Sequence, residues 1–479
     1  MRLQFLLFVL IITSNILIAQ NKKPNTNKTA VIASVDKNQA ELIKLSDAIW
    51  ANAEPALKET KSSKTLADYA EGQGFQVKRN VAGMPTAFIA EFGSGKPVIG
   101  IMGEYDALPG ISQKAQPTKE PLHAGAAGHG CGHNLFGVGS LGAAIAVKEL
   151  IQHGKLKGTI RFYGTPAEEA VGGKIYMARE GLFNDLDVCL DWHPGTAIAA
   201  NTQSSQAMVD FMVEFKGKAA HAASDPWNGR SALDGVELFL DGVNMLREHV
   251  KPSVRMHYVI TSGGDVPNVV PEYAALWMWV RDSKRSGVED VFARVKEIAK
   301  GAGLMAGVES KINVTSGDYE ILVNQHGAQA LQKNIEALGP IVYTNDETAF
   351  AKKIQEVSGG EQIGMNGKIS LLRPTREDPD DGSTDVGDVS WIVPEITAIV
   401  TTAPANAPWH SWAVVACGGM SIGHKGMLYA AKSLGMTMVD LFENEQLRKE
   451  IKSEFETRRK GEVYKPYVPD GPPPIPTGN

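Results

Sequence analysis

Short apolar runs alternate with stretches of helical periodicity through about residue 201, and that alternation restricts the fold more than any other feature of the chain. Residues 75–102 read as short strands separated by Gly and Pro, 137–152 as a small-residue helix, 158–163 as a strand, 173–180 as a helix and 187–192 as an apolar strand. Upstream, 38–61 carries Leu42, Leu45, Ile49 and Leu57 at helical spacing. Apolar strands spaced by helices predict an α/β fold, a mostly parallel sheet with helices on both faces. After residue 201 the rhythm changes. Residues 208–215 alternate apolar and polar, 231–249 and 288–302 read as helices, and 256–261 and 273–282 as strands. Two strand-helix-strand units of this size fit a compact inserted α+β domain. The earlier alternation resumes with a helix at 327–338, a strand at 396–402 and a helix at 426–442. A chain of 479 residues exceeds what one core usually organises. The expected plan is a first domain over 36–204, an insertion over 205–318, completion of the first domain over 319–460, and an extended proline-rich tail over 461–479.

The amino terminus reads as an export signal over 1–19. Met1 and Arg2 give a positive start, 3–19 is mostly apolar, and cleavage fits near Ala19-Gln20. An uncleaved anchor is the other reading, weakened by Thr13, Ser14 and Asn15. Export places the protein in the periplasm or outside the cell. Residues 20–35 are polar and suit a flexible leader, and no later stretch reads as a membrane span. A net charge of -6 without a basic stripe excludes a nucleic-acid footprint. Three cysteines, Cys131, Cys189 and Cys417, are too few and scattered for a disulfide framework, and at least one must stay unpaired within the chain.

The residues suited to chemistry gather where strands end. Gly128-His129-Gly130-Cys131-Gly132-His133-Asn134 puts a thiol and an imidazole two residues apart, on one side of an extended chain. Glu168 and Glu169 follow the strand at 158–163, where adjacent carboxylates repel unless a cation or a proton intervenes. His193 closes the apolar run 187–192, Glu104 and Asp106 follow another strand, and His410 lies beyond the strand at 396–402. Each alone has an ordinary structural explanation: a buried thiol, a solvated acidic turn, a hydrogen-bonded histidine. Their shared placement points to a metal site of nitrogen, sulfur and carboxylate ligands, in which Glu168 is the general base, Glu169 a ligand, and Asp106 orients a ligand histidine.

These motifs, with Gly103-Glu104-Tyr105-Asp106-Ala107-Leu108-Pro109, Ala219-Ala220-His221-Ala222-Ala223, Gly382-Ser383-Thr384-Asp385-Val386-Gly387-Asp388 and Gly423-His424-Lys425-Gly426-Met427, resemble the dinuclear-metal peptidases that include aminoacylase and carboxypeptidase G, in their amidohydrolase branch. The resemblance covers nearly all of the chain after the signal. It implies a catalytic domain interrupted by a lid and dimerisation domain, two zinc or manganese ions, and hydrolysis of an N-acyl or N-aroyl amino acid, with p-aminobenzoyl-glutamate favoured. By motif, Cys131, His133, Glu169, His193 and His410 take metal positions, Glu168 the general base and Asp106 the catalytic aspartate. His221 matches a lid histidine that reaches an active site across a homodimer, and Asn268 and Arg281 match lid positions that hold a substrate carboxylate. A second hydrolase subunit is also implied as a possible partner. Two departures bear on the metals: Asn134 stands where many relatives have aspartate, and Glu104 replaces another aspartate. A dipeptidase, another acyl-amino acid hydrolase, and a metal-containing binding protein without catalysis are the competing functions; the presence of Glu168 speaks against the last.

Overall fold

The computed structural model describes residues 25–379 and 382–475, so the expected signal at 1–19 lies outside the described residues. The first sheet is built from β1 (Gln76–Arg79), β2 (Phe88–Ser94), β3 (Val98–Gly103), β4 (Gly158–Gly164), β5 (Val188–Gly195) and β6 (Ala199–Ala200). The chain then forms a second sheet from β7 (Ala207–Lys216), β8 (Arg255–Ser262), β9 (Tyr273–Asp282) and β10 (Glu309–Ser316), and returns to the first with β11 (Glu395–Thr401). Strand order in the first sheet is β1-β2-β4-β3-β5-β11-β6. Its four central strands, β4, β3, β5 and β11, run parallel, and antiparallel β2 and β6 flank them. The expected α/β sheet is present. The antiparallel strands arise where connections are too short for a crossover helix.

The helix His133–Gln152 lies against β3 and β4 and beside the helix Ser421–Glu443, buried along nearly its whole length. By length and composition it could cross a bilayer, contrary to the expectation that no later stretch would, but it is the central helix of a packed core. Small residues allow its close approach: a Cβ on Gly137 would sit 2.6 Å from the Glu104 carbonyl oxygen, at the tip of β3.

The flexible leader expected at 20–35 is corrected over most of its length. Thr26–Lys37 is a helix, capped by the Asn25 side chain, which accepts from the backbone N–H of Asn27 and Lys28. Val31 and Val35, one turn apart, are buried with Ser34 against the two core helices while most of the polar residues face outward, and Lys28 pairs with Asp440 at 2.6 Å. Two apolar residues on one face suffice to dock a segment whose mean composition looks unstructured.

The second sheet is antiparallel, ordered β10-β7-β9-β8, with helices Ala232–Leu246 and Arg285–Ala306 packed on it. It has its own core, in which Phe211, Phe215, Phe239 and Phe292 meet. The tail at 461–475 has no regular secondary structure, yet it is fastened to both domains. The Tyr464 hydroxyl donates to Asp388 Oδ1 at 2.7 Å, Tyr467 packs on Arg285 of the second domain, and Arg179 donates to the carbonyls of Pro469 and Gly471. Cys131, Cys189 and Cys417 are all buried free thiols.

Candidate metal centre

Beyond β3 the chain delivers Glu104 and Asp106 to the carboxyl end of the sheet, and both are buried. A loop then brings in Cys131, and Gly132, at φ 80, turns the backbone so that His133 becomes the first residue of the core helix. This placement differs from the strand end inferred for the pair: a left-handed glycine, not an extended chain, sets the two candidate ligands on one side. His133 Nδ1 donates to Asp106 Oδ1 at 2.8 Å, and Asp106 Oδ2 accepts from the Glu169 backbone N–H at 2.9 Å. One carboxylate thus orients the imidazole and the acidic loop together.

That loop follows β4. Ala167 holds a left-handed φ of 63°, and its N–H donates to Glu59 Oε1 at 2.9 Å, so a buried carboxyl from another segment fixes the turn that precedes Glu168 and Glu169. His193 lies inside β5, not past it; its Nδ1 donates to the Pro194 carbonyl at 2.7 Å, leaving Nε2 3.3 Å from Cys131 Sγ. His410, at φ 54 beyond β11, is half-exposed, with Nε2 3.6 Å from Glu169 Oε2.

Three donor sets result, each with ligand atoms within 4.8 Å of one another: Cys131, His133 and His193; Cys131, Glu169 and His410; and Glu104, His133 and Glu168. The first two share the Cys131 thiol, the arrangement expected of two adjacent cations with one common ligand. Burial dominates the electrostatics of that donor set. Burial pushes the Cys131 thiol up to about 12 and Glu169 up to about 7, and it raises Glu168 well above the carboxylate range with help from Glu104 and Glu169. Burial also pulls His193 down to about 4, which keeps it neutral and able to ligate. For His133 burial acts downward, but Glu104, Cys131 and Asp106 outweigh it and hold the imidazole well above its usual value. His133 Nε2 and Glu104 Oε2 lie 3.0 Å apart, and neither they nor Glu169 Oε1 have a hydrogen-bond partner among the described residues. Buried acceptors without donors fit a cation.

The structure therefore brings Asp106, Cys131, His133, Glu168, Glu169, His193 and His410 together. It does not bring His221 or Asn268 to them. His221 is exposed, its Nδ1 accepts from the N–H of Ala223 and Ser224, and it bridges to Val269; the Asn268 carbonyl accepts from Ala222, within the same domain. Arg281 is intermediate in exposure: it stacks on Trp279 and reaches Ser383 of the first domain at 3.4 Å. Sequence reasoning missed Glu59, Lys174 and Asp385. Lys174 had one visible signal, a lone charge in the otherwise apolar run Ile175-Tyr176-Met177-Ala178 that follows it.

Residues 100–370 match the model of peptidase family M20/M25/M40. A p-aminobenzoyl-glutamate hydrolase subunit of Escherichia coli (strain K12) is 38% identical over 92% of this chain and 98% of that one. The Xaa-Arg dipeptidase of Homo sapiens is 29% identical over 90% of this chain and 92% of its own length. Among solved structures, a dinuclear metal binding peptidase of family M20 from Bacillus subtilis superposes with a TM-score of 0.58 at 17% identity, covering 85% of this chain and 99% of that chain, which shows a common fold. With a family match that takes in the motifs from Glu104 to Arg281 and a relative aligned over 92% of the chain, the chain belongs to peptidase family M20/M25/M40 and is a hydrolase.

Proposed function

We propose that the chain hydrolyses the amide of an N-acyl or N-aroyl amino acid, with p-aminobenzoyl-glutamate cleaved to p-aminobenzoate and glutamate as the leading substrate. The observation that carries this reading is the convergence of the shared Cys131 thiol, three imidazoles and Glu169 beside a Glu168 carboxyl that the surroundings keep basic. Two divalent ions, zinc or manganese, held by Cys131, His133, Glu169, His193 and His410 would supply Lewis acidity for the amide carbonyl and lower the pKa of water to about 7. Glu168 accepts the proton of the attacking water and returns it to the leaving amine, a role that a raised carboxyl pKa suits. Asp106 keeps His133 and the Glu169 loop in register. Arg281, with its forked donors, is the candidate for the substrate carboxylate, and His221 and Asn268 act across a homodimer. The bacterial relative is named as one subunit of a hydrolase, which supports a second hydrolase polypeptide as a further partner. Export through the amino-terminal signal, to the periplasm or outside the cell, belongs to the same reading.

A dipeptidase activity would use the same machinery with another acyl group, and the mammalian relative favours it as the second reading. The deciding assay loads purified protein with zinc or manganese and follows free glutamate from p-aminobenzoyl-glutamate, with Arg-terminated dipeptides in parallel. Release well above a Glu168→Ala control is expected. Equal release from both proteins would sink the proposal.

A further inference from the structure

Lys174 is the most deeply enclosed cation near the site. Its side chain is 0% exposed, in the first turn of the short helix Gly173–Arg179 that follows the Glu168-Glu169 loop. Its Nζ donates to Glu104 Oε1 at 2.5 Å and to Asp385 Oδ1 at 2.6 Å, while its backbone N–H donates to Asp385 Oδ2 at 2.9 Å. Asp385 is itself buried, in the turn that opens the helix Val386–Ser390. Three segments remote in sequence, the tip of β3, the helix after β4 and the turn before β11, are joined at one ammonium group. A buried lysine of this kind needs its carboxylates for stability, but stability does not explain where the free oxygen points. With Oε1 held by Lys174, the other oxygen of Glu104 faces His133 Nε2 at 3.0 Å without a hydrogen bond between them. Glu104 and His133 also form a donor set with Glu168.

We infer that Lys174 is a positioning residue of the metal centre, which holds Glu104 by one oxygen so that the second is presented beside Nε2 of His133. Asp385 anchors the ammonium from behind, and the fixed positive charge balances one carboxylate where several converge. Carboxylates and amines arranged behind a ligand tune metal affinity by orientation as much as by charge, typically by about 10–100-fold when removed. The inference rests on the proposed metal-dependent reading, because Lys174 acts through residues that would hold the ions.

The test measures zinc and manganese dissociation constants by chelator competition, with melting temperatures of the metal-free proteins, for the full chain and for K174M, E104Q, K174M/E104Q and K174M/D385N. Wild-type protein that binds neither metal would overturn the metal reading itself. Given wild-type binding, K174M is expected to weaken affinity by at least about 10-fold, and K174M/E104Q to be no weaker than the worse single variant, since both act through one link. K174M/D385N removes one charge of each sign, so it keeps the buried charge balanced if K174M alone fails to fold, and it should show the same weakening. Affinity within about 2-fold of wild type in either folded Lys174 variant, against the loss expected of a residue that orients a ligand, would overturn the inference. So would additive losses in K174M/E104Q. Failure of both K174M and K174M/D385N to fold would assign the lysine to stability alone.

Discussion

His133 and His221 are both histidines singled out for chemistry, and the molecule treats them in opposite ways. His133 is fully buried, bound by Asp106 on one nitrogen and facing Glu104 on the other, and its surroundings come from four separate segments of chain. His221 is exposed, and its hydrogen bonds go to Asp225, Ala223 and Ser224, all within four residues. Asn268 follows His221, and Arg281 stands between the two extremes, reaching across to Ser383. A site over-determined by long-range contacts is preorganised to bind before substrate arrives. His221 and Asn268, held within the inserted domain alone, would serve the proposed reaction only if carried to the substrate, by motion of that domain or by a second copy of the chain.

The largest effect should come from the preorganised half. Glu168→Gln is expected to lower kcat by about 10²–10⁴-fold with metal content unchanged, measured by product release alongside elemental analysis; loss of metal in this variant would move Glu168 from base to ligand. Exhaustive chelation should abolish turnover and lower the melting temperature, with both restored by zinc or manganese, because a ligand bound only to the folded state stabilises it. A melting temperature indifferent to chelation would dissolve the contrast between the two regions. In the inserted domain, Arg281→Lys should raise KM by about 10-fold, the loss of one forked carboxylate contact being worth about 1.4 kcal/mol or more, with a smaller change in kcat. Mixing His221→Ala with Glu168→Ala protomers should recover part of the lost activity if His221 works in trans, and recovery of none would confine the site to one chain. The last effect is on stability alone and concerns Asp318, where the chain leaves the second sheet: burial, reinforced by Asp385, lifts it from 3.8 to about 7. The folded protein then holds a proton that the unfolded chain has released above about pH 4, so stability contributed by this group falls as pH rises from about 4 to about 7. Asp318→Asn should flatten that part of the melting profile by up to about 1.4 kcal/mol per pH unit.

The same contrast marks what could be read in the sequence. Apolar strands and helical periodicity revealed β3, β4, β5 and the core helix, because burial on both faces leaves a local record. Cys131, Glu168, His193 and His410 announced themselves by type and by their turns. Glu59 carried no such record and Lys174 and Asp385 only faint ones, a lone charge and a place in a motif, since their roles exist only once segments distant in sequence meet, as Lys174 shows by joining residues 70 and 211 positions away. The helix Thr26–Lys37 was hidden because its fully buried face holds only two apolar residues, Val31 and Val35, beside Ser34. The backbone turns at Gly132 and Ala167 were equally invisible, as no pattern of apolar residues encodes a left-handed φ at an alanine.

The pairing of β5 with β11 has a consequence for how the protein is made. His193 lies opposite Ile399, so the strand that carries this candidate ligand waits for a neighbour translated about 200 residues later. At roughly 5–20 residues per second, synthesis leaves that edge without its partner for about 10–40 s, during which the whole inserted domain emerges and can close on its own antiparallel pairings. A nascent chain in this state has a finished appendage on an unfinished enzyme, with an open hydrogen-bonding edge on the strand that carries His193. The order of translation thus makes the last parallel strand the step that completes both the sheet and the site.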